Sequence, residues 1–116
     1  MRVKDRDWRR AFAACLIVVL VMALTPSPIP LPSTGWDKAN HVLAFTVLAV
    51  LGCLAYPQRA TWVVLAGLFA YGGAIELLQL LTASRTAEWL DLAADGAGLS
   101  CGWLLTCARA RVPRVK

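Results

Sequence analysis

A single histidine and a few carboxylates interrupt the otherwise apolar stretches of this chain. His41 follows Asp37 and Lys38, Glu76 and Gln79 lie three residues apart, and Arg85 precedes Asp91 and Asp95. Carboxylates can take an amine or a metal ion, and Lys or Arg can hold phosphate or carboxylate by charge-assisted hydrogen bonds. An imidazole beside carboxylates can also move protons. Helical spacing gives each group one face: Lys38, His41 and Phe45; Gly72, Glu76 and Gln79; Asp91, Asp95, Gly98 and Gly102. An ionisable group facing lipid is costly, so these faces are expected to point inward, where Gly72, Gly73, Gly98 and Gly102 let backbones approach closely.

The elements that must carry these faces are long apolar runs. At 116 residues and 59% hydrophobic, the chain is one domain, 1–116, and a soluble protein of this size has too little interior to hide so much apolar surface. The expected fold class is all-α: a polytopic membrane protein, a bundle of four transmembrane helices at about 8–25, 37–56, 61–82 and 89–107. Prolines between residues 25 and 35 stop the first helix. That helix reads as retained and not as a cleaved signal, because no small-residue cleavage site follows. Pro57 ends the second, and the short link after it makes helices two and three antiparallel neighbours. Glu76 does not prevent insertion of the third, whose Val, Leu, Ile and Phe residues outweigh one acid at ~+3 kcal/mol.

Twelve Lys and Arg stand against seven Asp and Glu, giving net +5, and the basic residues sit at the chain ends. That distribution is membrane topology and not a nucleic-acid patch. Five basic residues precede the first helix, Arg59 lies between helices two and three, and four follow helix four, against Lys38 and Arg85 in the other two loops. Both termini are therefore expected in the cytoplasm, which puts the polar cluster near the outer face. Trp8, Trp36, Trp62, Trp89 and Trp103 fall at or near the expected interfaces. Cys15, Cys53, Cys101 and Cys107 read as small helix-packing residues without a metal or redox pattern.

Three of these groupings, taken in order, resemble the motifs of the VanZ-like membrane proteins. D-K-x-x-H-x-x-x-F is present as Asp37, Lys38, His41 and Phe45, E-x-x-Q as Glu76 and Gln79, and R-x5-D-x3-[N/D]-x2-G-x3-G as Arg85, Asp91, Asp95, Gly98 and Gly102. The resemblance runs over residues 36–104. It departs at Asp95, where the family usually carries Asn, and a second acid one turn from Asp91 favours a cation or a bound proton. The resemblance implies a multi-pass protein of the bacterial inner or plasma membrane acting near the cell envelope, in a family named for an accessory protein associated with teicoplanin resistance.

The reading favoured by these residues is a binding protein. Asp37, Lys38, His41, Glu76, Gln79, Arg85, Asp91 and Asp95 would form a polar pocket for a lipid headgroup or cell-wall precursor, with Phe45, Gly72, Gly98 and Gly102 packing the helices. No cofactor or resident metal is expected, the partners are membrane lipids or a precursor, and self-association into a homo-oligomer stays open. The competing reading is an enzyme using His41, Glu76 and Asp91 on a lipid-linked phosphate or ester. Against it, the chain lacks G-x-S-x-G, H-E-x-x-H and phosphate-loop sequences. A third reading, a small proton- or ion-coupled transporter, rests on intramembrane Glu76. A structural network that only fixes helix register is the bland alternative.

Overall fold

Runs of Leu, Val and Ala without internal proline form the helices, and polar or proline-containing links separate them. The computed structural model describes the backbone of residues 3–24, 37–81 and 89–111, and the side chains of 5–24, 39–81 and 90–106. Among the described residues there are four helices and no strand: α1 (Val3–Leu24), α2 (Asp37–Ala55), α3 (Thr61–Leu80) and α4 (Trp89–Arg111). The fold is all-α. Helix α1 starts earlier than the expected residue 8, taking in the charged segment, with Asp5 in its first turn where an acid complements the positive helix end. Helix α4 runs beyond the expected 107 to Arg111.

Pro57 lacks a backbone donor and closes α2. A tight turn follows, in which the Arg59 amide donates to the Tyr56 carbonyl at 3.1 Å, and α3 runs back along the bundle. Sequence proximity led to the expectation of α2 and α3 as neighbours. They do touch, but the most extensive contact in the molecule is between α2 and α4. Glycine explains it. A Cβ on Gly98 would stand 2.5 Å from the Val42 carbonyl oxygen, and one on Gly102 would overlap the Ala49 methyl. Only bare backbone lets α4 lie this close to α2. Thr46 fastens the seam: its hydroxyl lies 2.7 Å from the Val42 carbonyl of its own helix and 3.1 Å from that of Gly98 across the interface. Gly73 departs from expectation: among the described residues nothing lies within 4 Å of the place its Cβ would take.

Helix α2 touches the other three, whereas α1 and α4 make no contact among the described residues. Phe45, Leu48, Ala49, Leu68 and Leu99 form the buried core, and Phe12, Leu16 and Val19 of α1 pack onto it. Hydrogen bonds then hold α1 along its length. The Tyr71 hydroxyl donates to the Leu16 carbonyl, the Gln79 amide to the Ala23 carbonyl at 2.8 Å, and Arg9 Nε to the Ala55 carbonyl at 3.0 Å. Ala23 and Ala55 lie in the last turns of α1 and α2, whose carbonyls have no partner within their own helices. Gln79 and Arg9 each supply one.

Beside this apolar core the bundle buries some polar side chains and exposes large apolar ones. Gln79, Asp91 and Asp95 are buried, while Ile17, Leu43, Phe69 and Leu104, one on each helix, are exposed. By length and hydropathy along the chain, one described helix, α3, meets the measure of a membrane span, and α2 contributes a shorter apolar helix over Ala39–Ala55.

Candidate functional site

The polar residues of α2, α3 and α4 meet at one end of the bundle, opposite the Tyr56–Ala60 turn. Each lies about one or two turns in from a helix end. His41 is four residues into α2, Glu76 four before the end of α3, and Asp95 six into α4, or about 6, 6 and 9 Å of axial rise. The i, i+3 and i+4 spacing described above turns these side chains inward, because each helix buries that stripe against its neighbours.

At the centre is a pair formed between residues 54 apart in the chain: His41 Nδ1 lies 2.7 Å from Asp95 Oδ1. The side chains are 12% and 1% exposed. An ionised carboxylate only accepts, so Nδ1–H donates and the imidazole orientation is set from behind. The other ring nitrogen, Nε2, faces Asp91 Oδ2 at 3.8 Å, beyond hydrogen-bonding distance. Glu76 approaches from α3, and donor atoms of His41, Glu76 and Asp95 all lie within 4.8 Å of one another. One imidazole nitrogen and two carboxylates form a donor set that can hold a divalent cation, and the same set can accept an ammonium group.

Packing around the pair is tight. Phe45 is 1% exposed; its ring meets the place where a Cβ on Gly72 would project, and its Cβ meets that of Gly98. The same hypothetical Cβ on Gly72 would stand 2.6 Å from Asp95 Oδ2. Thus Gly72 leaves room for the carboxylate, and Phe45 walls it from the hydrophobic core.

Of the expected pocket residues, His41, Glu76, Asp91 and Asp95 come together here. Gln79 is buried at the same end, with its amide nitrogen engaged by the last turn of α1. The side chains of Asp37, Lys38 and Arg85 lie outside the described residues. Of the packing residues, Phe45, Gly72, Gly98 and Gly102 all sit at helix contacts. Sequence reasoning passed over Thr46, Tyr71 and Arg9, which tie helices together through main-chain carbonyls. Hydroxyls and a guanidinium within or beside apolar runs are the only signal that could have pointed to them.

A family model described as VanZ/LLP1 matches residues 16–110, which take in α2, α3, nearly all of α4 and the C-terminal part of α1. No curated protein and no solved structure matches the chain.

Proposed function

The chain belongs to the VanZ/LLP1 family, and from this premise we propose that it is a four-span protein of the bacterial inner membrane that binds a polar envelope molecule at the His41–Asp95 cluster. Both termini lie in the cytoplasm and the cluster opens to the outer leaflet. The exposure pattern supports insertion: large apolar side chains are exposed on every helix while Asp91, Asp95 and Gln79 are buried. Hydropathy counted along α4 charges its acids against insertion, yet a carboxylate packed between helices never meets lipid. Helix α3, with 20 residues and ~1.5 Å of rise each, matches the ~30 Å hydrocarbon core.

The observation that carries the binding reading is the 2.7 Å contact of His41 with Asp95, with a Glu76 donor within 4.8 Å. Two helices deliver acids around the imidazole of a third, an arrangement suited to the ammonium group of a lipid headgroup or a cell-wall precursor. The phosphate of such a ligand falls to Lys38 and Arg85, which by sequence lie at the same end. Tolerance of teicoplanin-type glycopeptides is the physiological consequence this reading favours. The test is mass spectrometry of lipids that co-purify with the protein: one species is retained by the native chain and lost from Asp91→Asn and Glu76→Gln. Unchanged lipid content and unchanged glycopeptide sensitivity in both inserted variants would overturn it.

One observation favours a second reading, acid/base catalysis on a lipid-linked phosphate or ester. A carboxylate behind an imidazole fixes the tautomer and aims the second nitrogen, as in a general base, and Asp95 does this to His41. Turnover of labelled envelope lipids by the purified protein, lost in His41→Ala, would decide for catalysis over binding.

A further inference from the structure

At the opposite end of the bundle the structure holds a cavity lined by none of the polar-cluster residues. It is a groove of about 400 Å³ between α1 and α3, bounded by Phe12, Leu16, Val64, Gly67 and Tyr71, with Arg59 at its mouth. This volume lies within the ~300–1,000 Å³ of small-ligand pockets. The two helices are held together at the deep end by the Tyr71 hydroxyl on the Leu16 carbonyl. Near the mouth, α1 is held instead to α2: Arg9 bonds the Ala55 carbonyl and lies 4.6 Å from the Tyr56 ring centroid, and Phe12 meets that ring edge-on. Between these fastenings α3 presents Gly67, and nothing lies within 4 Å of where its Cβ would stand. The missing side chain leaves the groove open.

We infer that this groove seats one acyl chain of an anionic phospholipid of the inner leaflet, whose headgroup is held by Arg59. This rests on the membrane reading given above. Three features support the assignment. The walls are aliphatic and aromatic, and the Tyr71 hydroxyl is already bonded to Leu16, so an alkyl chain strands no polar group. From Val63 to Tyr71 the groove runs about 12 Å along α3, most of the ~15 Å half-thickness of the hydrocarbon core. Its mouth is at the end where the basic segments of the sequence gather, and Arg59 is exposed, placed to meet phosphate with several N–H donors. Trp62, 72% exposed and three residues on, suits the headgroup level at the same depth.

The test is native mass spectrometry of the full chain in detergent, titrated with phosphatidylglycerol or with phosphatidylcholine carrying the same acyl chains. The native protein retains one phosphatidylglycerol about ten-fold more tightly than phosphatidylcholine, the equivalent of one charge-assisted hydrogen bond. Arg59→Gln brings the two lipids to parity. Gly67→Leu fills the groove without a clash and abolishes the tightly held adduct, while its melting temperature without added lipid does not fall. Equal retention of both lipids by the native chain, or full retention by Gly67→Leu, overturns the assignment. Carbonate extraction of the membrane fraction is read separately. Release of the chain overturns the membrane reading and the groove's ligand with it; a chain that stays in the pellet but shows no lipid preference overturns the groove's ligand alone.

Discussion

Asp95 owes its position to Gly72: the carboxylate oxygen not bonded to His41 occupies the space that a methyl group on Gly72 would enter, 2.6 Å from it. Gly72→Ala therefore pushes the carboxylate away from the imidazole and destabilises the bundle by about 1–3 kcal/mol, the usual cost of overpacking. Gly73→Ala is the matched control. Its methyl meets open space, and relief from a glycine within a helix stabilises by roughly 0.5–1 kcal/mol. Melting temperatures of the two variants in detergent should move in opposite directions.

The His41–Asp95 contact of 2.7 Å is buried on the Asp95 side, so removing the carboxylate takes away a close hydrogen bond to a charged group. Asp95→Ala is expected to lose about 1.5–3 kcal/mol. Asp95→Asn keeps an acceptor oxygen for Nδ1–H and should lose clearly less. Chemical denaturation of the purified protein reads this order directly, and equal losses for Asp95→Asn and Asp95→Ala would contradict the geometry.

Gly98 and Gly102 seat α4 against α2. A side chain at Gly98 meets the Val42 carbonyl and the Thr46 amide, which are backbone and cannot swing aside. Gly98→Leu should fail to assemble, and Gly98→Ala should melt lower by at least as much as Gly72→Ala. Thr46→Val keeps the shape but loses the hydroxyl's bond to the Gly98 carbonyl, a loss of about 0.5–1.5 kcal/mol.

Cys101 is an exposed free cysteine in the middle of α4. In a four-span bundle it faces lipid. A variant keeping only this cysteine, with Cys15, Cys53 and Cys107 replaced by serine, should resist a membrane-impermeant maleimide in intact vesicles and react after detergent is added. Immediate labelling would place α4 in water and overturn the four-span reading.

The acceptor of Gln79 is the Ala23 carbonyl. Gln79→Leu should cost about 1 kcal/mol, with the loss concentrated at the end of α1. Hydrogen exchange there should speed up while the α2–α4 seam stays protected.

The parts of this arrangement that could be read from sequence are those where helical period and polarity coincide. His41, Glu76, Asp91 and Asp95 stand out because each is a polar residue on a stripe that repeats at i+3 or i+4 in an apolar run. Gly98 and Gly102 announce a close approach but not the partner, and loop lengths pointed to α3 beside α2 when the tightest seam is with α4. Gly72 and Gly73 look equivalent on paper; only the rotation of α3 separates the one under Asp95 from the one facing open space. Thr46 gave little signal, because a threonine within a helix can satisfy itself on its own preceding turn, as it does on Val42. The ends of α1 and α4 were blurred because charged residues extend a helix beyond its apolar part.

The ties that hold the first helix share a property. Tyr71, Gln79 and Arg9 all donate to main-chain oxygens, at Leu16, Ala23 and Ala55. Every residue type presents that same oxygen, so the receiving positions are chemically anonymous. Sequence drift at 16, 23 and 55 can leave the docking of this helix intact provided the backbone stays helical, whereas the three donors have few substitutes.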